Sequence, residues 1–324
     1  MLNKHLITGI TGQDGLFLTS IILKNNPKDL IVGISRNSEN SNFFNRLRYL
    51  LPDFKNFENI QLINTDLKNK VEVDKLLTDF IPDYVYNLSG PSSVYKSLIK
   101  GNDTYEQIIS IFNNLINPIV ENNFSTSFFQ ASSSEMFDSS ELPLDENSRL
   151  KARSPYAKGK LYVHESIQKI KSIEKINISS GIMFNHESEF RDDEYLIMKI
   201  INSAIQINEG NKNELKIGSL NLTRDWSYAE DVANAIYKIN INNTSEDYVI
   251  GSGIGNNIEN ILEIVFTYFD LYWKDFITVD SSLLRSGDPV SIIAKPSKIN
   301  ENLDWKTETT LKDLIIKCIE YKTN

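Results

Sequence analysis

The sequence predicts a doubly wound α/β sheet, and three observations predict it. Short apolar runs of strand length alternate with longer helical stretches through the first half of the chain. The first run ends in Gly9-Ile-Thr-Gly12-Gln-Asp-Gly15, a glycine turn that opens a helix. The runs are separated by segments of helical length, too long for hairpins, so parallel strands with right-handed crossovers are the economical arrangement.

In order, His5 to Thr8 is the first strand and Asp14 to Lys24 the helix behind the glycine turn. Leu30-Ile-Val-Gly-Ile34 and Ile60-Gln-Leu-Ile-Asn64 are the second and third strands, Val71 to Phe80 a helix, and Tyr84 to Leu88 the fourth strand. A long helical stretch runs from about Thr104 to Glu121, Ser127 to Ala131 makes the fifth strand, Pro155 to Ile170 a helix, and Ile176 to Met183 the sixth strand. After Phe184 the regularity breaks into loops marked by Gly218, Gly251, Gly253 and Gly255, before a terminal helix from Leu311 to Tyr321. Final sheet elements are expected around Tyr228 to Asn240, with a helical pattern after Asp231, and Gly251 to Gly255 reads as a substrate-side turn.

Composition excludes several classes. Of the 324 residues, 40% are hydrophobic and 24% charged, ordinary for a folded globular chain, and no apolar run reaches the ~20 residues needed to cross a bilayer. The start Met1-Leu2-Asn3-Lys4-His5 leads into a strand and not into a signal core, which points to the cytoplasm. Thirty-four Lys plus Arg against 43 Asp plus Glu leave a net charge of −9 and no long basic block, so nucleic acid is not an expected partner. Cys318 is the only cysteine, and His5, His164 and His186 lie far apart, so neither a disulfide nor a metal site is expected. An organic cofactor or side chains alone must supply any chemistry.

Glycines let a backbone turn sharply and approach a pyrophosphate, whose charge meets the helix N-terminus. On that reading Gly9, Ile10, Thr11, Gly12, Gln13, Asp14 and Gly15 cradle a dinucleotide; the alternative is a plain tight strand-to-helix turn. Strand two runs out into Ser35-Arg36, where an acid would take the adenosine ribose 2′-hydroxyl and Arg instead suits a 2′-phosphate, so NADP is expected over NAD. Asp66-Leu67 and Leu88-Ser89-Gly90 follow strands three and four at their carboxyl ends, where ligands collect in such sheets. Residues 1–183, with later elements around 225–250, are therefore expected to bind the dinucleotide, and 184–324 to form an interleaved, smaller substrate-binding region.

Tyr156 and Lys160, four apart, share one helix face, and the ammonium can hold down the phenol's pKa so that it acts as a base near neutral pH. Ser133-Ser134-Glu135 closes strand five, and two side chains two apart can face the same cleft. A carboxylate there, partly shielded from water, has its pKa pulled upward, which suits Glu135 to proton transfer. Singly these are weak: Tyr-x-x-x-Lys recurs by chance, a strand can end in capping hydroxyls, and Glu135 can be a solvated acid. Their order behind a glycine loop carries the reading.

Leu6-Ile-Thr-Gly-Ile-Thr-Gly-Gln-Asp-Gly15, Gln130-Ala-Ser-Ser-Ser-Glu135, Arg153-Ser-Pro-Tyr-Ala-Lys158, Phe184-Asn-His-Glu-Ser188 and Arg224-Asp-Trp226 together resemble the GDP-mannose 4,6-dehydratases, within the extended short-chain dehydrogenase/reductases of Rossmann-like fold. The resemblance spans most of the chain in the same order. It implies catalysis by Ser133, Glu135, Tyr156 and Lys160. It also implies NADP contacts from the Gly9 to Gly15 loop, Arg36, Asn37, Ser38, Asp66, Leu67, the loop Leu88, Ser89, Gly90 and Ser92, and from Tyr156, Lys160, His186 and Arg191. Substrate contacts are implied for Ser133, Asn185, Lys199, Arg224, Arg285 and Asp288. The implied reaction is a hydro-lyase cycle on GDP-mannose or a related GDP-sugar: oxidation at C4, loss of water across C5 and C6, and hydride return to C6, carried out by a homodimer or homotetramer.

This chain departs from the family pattern at Ser133, where Thr is usual, at Asn37, at Asp138-Ser139, and at Glu189-Phe-Arg191-Asp192, where the family usually has Pro-Arg-Arg-Gly. The competing readings are a nucleotide-sugar 4-epimerase, 4-keto reductase or decarboxylase of the same superfamily, and a cofactor-binding regulator that has lost catalysis.

Overall fold

The computed structural model describes residues 2–36, 40–173, 176–283 and 287–323. The chain divides into two compact units: Met1–Asp138, Arg149–Met183 and Ala233–Tyr248 form one, and Ser139–Ser148, Phe184–Val232 and Val249–Asn324 the other.

The chain begins with β1 (Lys4–Thr8), α1 (Gln13–Asn25), β2 (Leu30–Ser35), α2 (Asn40–Leu50), β3 (Ile60–Asn64), α3 (Lys70–Phe80), β4 (Tyr84–Asn87), α4 (Val94–Lys100), α5 (Asn102–Glu121), β5 (Ser127–Ser133), α6 (Pro155–Ile173) and β6 (Asn177–Met183). It continues with β7 (Asn185–Glu187), α7 (Leu196–Asn208), β8 (Leu215–Ile217), β9 (Thr223–Tyr228), α8 (Ala229–Ile241) and β10 (Asp247–Ile250). The last elements are β11 (Gly255–Asn257), α9 (Ile258–Tyr268), β12 (Ile277–Val279), β13 (Ser291–Ile292), α10 (Ser297–Leu303) and α11 (Leu311–Thr323).

The main sheet runs β10-β6-β5-β4-β1-β2-β3, with parallel pairing from β3 through β6. Strand order reverses between β1 and β4, and ligands of doubly wound sheets collect at the carboxyl ends beside such a switch. Alternation along each strand decides which face a residue serves. Leu6, Val32, Val85, Phe128 and Ile178 pack under α3, α5 and α6 with Val73, Leu77, Ile108, Phe112, Val163 and Ile167. On the opposite face His5 stacks between Tyr84 and Tyr86, with centroids 5.1 and 6.0 Å apart, and Asn240 of α8 donates to the Val85 carbonyl and accepts from the Ser127 hydroxyl.

Helices α2 and α4 fall where the sequence reading names no element, and α7 and α9 fall in the stretch after Phe184 where loops are expected. In α2, Phe43 and Leu47 are buried four apart, a short stripe hidden in an Asn-rich run, and α4 is a two-turn helix whose start is capped by Ser93 accepting from the Lys96 amide. The sheet elements expected around Tyr228 to Asn240 are otherwise arranged. Tyr228 ends β9 in a separate small sheet, the following residues form α8, and the seventh strand of the main sheet is β10. Val232, Ala233, Ile236 and Ile239 are buried at helical spacing, whereas Asp247-Tyr-Val-Ile250 is the next strand-length apolar run.

In the second unit β9 is the hub. Its first half pairs antiparallel with β11 and parallel with β13, and its second half pairs parallel with β7, setting Asn185 beside Trp226, His186 beside Ser227 and Glu187 beside Tyr228. Helices α7, α9 and α11 pack on one another, and Ile197, Ile201, Ile261, Leu262, Val265, Ile315 and Ile319 on them are buried. Among the described residues no helix is long and apolar enough to cross a membrane, and no cluster of three or more His, Cys, Asp or Glu could hold a metal.

Candidate active site

In the first unit the glycine turn is shaped by close approach. Gly9 adopts φ +70°, and a Cβ there would sit 3.2 Å from the backbone of Leu88 and Ser89. Gly12 donates to the Gly9 carbonyl at 3.0 Å and heads α1 with no side chain capping the helix start. A Cβ on Gly15 would lie 2.5 to 2.7 Å from the Ile10 and Gly9 backbones, so only glycine lets the helix leave the turn at this angle. A helix N-terminus with no side-chain cap, beneath a turn whose glycines leave backbone exposed to close approach, fits a pyrophosphate. Thr11 ties the turn to the end of β2 through its hydroxyl, 3.2 Å from that of Ser35, and Arg36 follows, exposed.

Past β3, Asp66 is largely solvated and accepts from the Lys68 amide, while Leu67 is buried and its carbonyl accepts from Asn114. Past β4, the amides of Leu88 and Ser89 both donate to the Thr8 hydroxyl at 3.1 Å, Gly90 takes φ +124°, and Ser92 is exposed just ahead of α4.

Strand β5 runs two residues further than its apolar run, so Ser132 and Ser133 are strand residues. The Ser133 hydroxyl accepts from the Glu135 amide at 3.3 Å and caps a single 3-10 turn, Ser134–Met136, that packs against α6 and leaves Glu135 half-buried. Ser154 caps the start of α6 by accepting from the Ala157 amide, and Gly159 lets that helix close on Ile108 of α5. Tyr156 and Lys160 are both buried on α6, with Nζ 5.7 Å from the phenol ring centroid. Nζ also donates to the Ala131 carbonyl at 2.9 Å, and burial pulls the ammonium from 10.5 down to about 8. The fold thus gathers Ser133, Glu135, Tyr156 and Lys160 at the carboxyl end of β5.

In the second unit, His186 on β7 donates from Nδ1 to the Phe184 carbonyl at 2.8 Å, because a carbonyl can only accept. Arg191 places Nε 3.2 Å from Glu187 and its guanidinium 3.5 Å over the Tyr195 ring, and Lys199 is exposed on α7. Arg224 and Asp288, both expected to meet substrate, are ion-paired to each other at 2.8 Å. Asn37, Ser38 and Arg285 lie outside the described residues.

Two buried acids escaped the sequence reading. The Asp225 carboxylate accepts from the Ser252 amide and hydroxyl and from the Gly253 and Ala294 amides, so the Gly251 to Gly255 turn is folded around it. Strand alternation puts Asp225 on the face opposite Arg224, and a glycine-rich loop rich in amides is the signal that could have found its partner. Glu189, buried, accepts the Tyr228 hydroxyl at 3.2 and 3.1 Å on its two oxygens; burial raises the pKa of both groups.

The doubly wound sheet, glycine turn and Tyr-Lys helix define an extended short-chain dehydrogenase/reductase fold. Solved enzymes superpose closely on it: a UDP-glucose 4-epimerase of Thermotoga maritima with UDP-glucose (TM-score 0.83, 16% identity, 99% of this chain and 98% of that one) and a dTDP-glucose 4,6-dehydratase of Streptomyces venezuelae with NAD bound (TM-score 0.83, 17% identity, 99% and 97%). The model of the GDP-mannose 4,6 dehydratase family matches residues 6–318, and the chain belongs to that family. GDP-mannose 4,6 dehydratase 2 of Arabidopsis thaliana is 30% identical over 96% of this chain and 84% of its own length, and the GDP-mannose 4,6-dehydratase of Vibrio cholerae 26% over 98% and 93%.

Proposed function

We propose that this protein is an NADP-dependent nucleotide-sugar 4,6-dehydratase acting on GDP-mannose or a related GDP-sugar. The observation that carries the reading is the packing of the Ser134–Met136 turn, which bears the half-buried Glu135, against α6, which bears the buried Tyr156–Lys160 pair. A simple 4-epimerase needs only the pair; removing water also needs an acid and base at C5 and C6.

The Gly9 to Gly15 turn, Asp66, Leu67, Leu88, Ser89, Gly90 and Ser92 would hold the dinucleotide, with Arg36 favouring a 2′-phosphate. His186 and Arg191 are assigned to the same cofactor, and Asn185, Lys199, Arg224 and Asp288 to the nucleotide sugar. When bound, the nicotinamide supplies a hydride acceptor for C4 and a hydride donor for C6. Tyr156, its phenolate favoured by the Lys160 ammonium, takes the proton from the C4 hydroxyl. Ser133 has its lone pair engaged by the Glu135 amide and directs its own proton toward the C4 oxygen. Glu135 takes the C5 proton, acidified by the neighbouring ketone, and gives it to the departing C6 hydroxyl; as hydride reaches C6, C5 takes up a proton equivalent to the one Tyr156 removed from the C4 hydroxyl, so one water is lost and no net oxidation remains.

Apolar Tyr95, Leu98 and Ile99 of α4 and Tyr162 of α6 are exposed, which supports a homodimer or homotetramer, and a lone buried Cys318 suits the reducing cytoplasm. The test is Glu135→Gln with GDP-mannose. A dehydratase so altered accumulates NADPH and a 4-keto hexose and releases no product lighter by one water. Unchanged turnover in the variant, or wild-type protein that converts no GDP-, UDP-, dTDP- or CDP-sugar, overturns the reading.

A further inference from the structure

The apolar face of the main sheet beneath α6 is crossed by one polar row. Thr8 pairs in register with Asn87, and Asn87 with Gln130, so the three side chains stand side by side across β1, β4 and β5. They share the face of Leu6, Val85 and Phe128, two residues back on each strand, and all three are buried. Amides in such a place are costly unless every group is matched.

Thr8, Asn87 and Gln130 are bonded to one another and to the backbone, with the direction of each bond fixed by chemistry, whereas Ser180, next in register on β6, adds a buried hydroxyl with no partner of its own among the described residues. Lys160 Nζ can only donate, and it donates to the Ala131 carbonyl. Gln130 Nε2 donates to that same carbonyl at 2.8 Å, and Gln130 Oε1 accepts from Asn87 Nδ2 at 2.8 Å. Asn87 Oδ1 accepts the Thr8 hydroxyl proton at 2.9 Å. The Thr8 oxygen in turn accepts the amides of Leu88 and Ser89. One hydroxyl hydrogen and two lone pairs complete what Thr8 has to offer.

We propose that Thr8, Asn87 and Gln130 form a hydrogen-bonded rung that positions the Lys160 ammonium and ties it to the loop after β4, making Asn87 and Gln130 positioning residues for the reaction. The proposal rests on the reading that Lys160 acts in that reaction. Replacing all three by apolar residues of similar shape would cost the fold little, since matched partners can be removed together almost without penalty. What such a replacement would lose is control of the Ala131 carbonyl. Shared between Gln130 and Lys160, that oxygen grips the ammonium less tightly and leaves its charge available to Tyr156, the titratable group that faces it from α6.

Gln130→Met and Gln130→Glu test this in the full chain without cofactor, by following the Lys160 side-chain NMR signal against pH, assigned by its loss in Lys160→Met. With Met the carbonyl serves the ammonium alone, and the titration midpoint rises by about half a unit to one unit, the worth of a single hydrogen bond. With Glu, which still accepts from Asn87 should Met disturb folding, an added carboxylate raises it further. Asn87→Asp, which never touches Lys160, moves the midpoint upward through Gln130. In all three variants kcat falls on the order of tenfold while KM for the nucleotide sugar stays within about twofold. An unmoved Lys160 titration in the Gln130 variants, or in Asn87→Asp, overturns the rung. Full activity in Lys160→Met instead overturns the catalytic reading and leaves the titration to judge the rung.

Discussion

Arg224 and Asp288 satisfy one another inside the second unit: Nη2 donates to Oδ1 at 2.8 Å, and the two side chains are only 7% and 8% exposed. The same guanidinium donates to the Thr223 and Val290 carbonyls, so the pair also closes β9 on β13. Removing one partner of a buried pair leaves a desolvated charge. Asp288→Ala is expected to lower unfolding free energy by about 3 to 5 kcal/mol in urea titrations, and Asp288→Asn, which keeps an acceptor, by less. Equal small losses would mean that water reaches the guanidinium.

Lys160 carries a charge the fold disfavours. Its ammonium titrates near 8 instead of 10.5, because burial strips it of water. Above about 8 the folded protein holds fewer protons here than the unfolded chain, so stability rises with pH between 8 and 10.5, and the cost is present in full below that window. Lys160→Met should therefore be inactive yet more stable at pH 7, by up to about 3 kcal/mol at roughly 1.4 per pKa unit, with the gain fading as pH approaches 10.5. Thermal melts across that range check it, and a Met variant less stable at every pH would show that the bond to Ala131 outweighs desolvation.

Glu189 carries the opposite proton linkage. Burial raises its pKa, so whatever it adds to stability is present below the ordinary carboxyl range and is lost as pH rises through its folded value. Glu189→Gln keeps an acceptor for the Tyr228 hydroxyl and removes the ionisation. Relative to wild type, this variant should gain melting temperature as pH rises from the ordinary carboxyl range and level off once the folded carboxyl is ionised; a constant difference would place the carboxylate in contact with water.

Most of the main sheet was legible because its signals are local. Apolar runs located β1 to β6 to within a residue or two, and the glycine turn announced α1. What was not legible depends on partners far along the chain. The buried stripe of α2 is interrupted by Asn and Arg, and β10 belongs to the first sheet only because α8 returns the chain to it. Asp225, Asn87 and Gln130 read as ordinary polar residues until registry supplies their neighbours. Ser133 and Glu135 could be singled out by type and spacing; that Ser133 caps the turn presenting Glu135 could not.

Strand β9 gives the molecule a point where length matters more than identity. Six residues there serve three neighbouring strands, while Arg224, Trp226 and Tyr228 look one way and Asp225 and Ser227 the other. A single-codon deletion inside this stretch would move the residues on one side of it to the opposite face, in the first half turning the guanidinium toward the glycine loop and the carboxylate toward Asp288. A substitution here disturbs one face of the strand, whereas an insertion or deletion between 223 and 228 shifts its register against its neighbours.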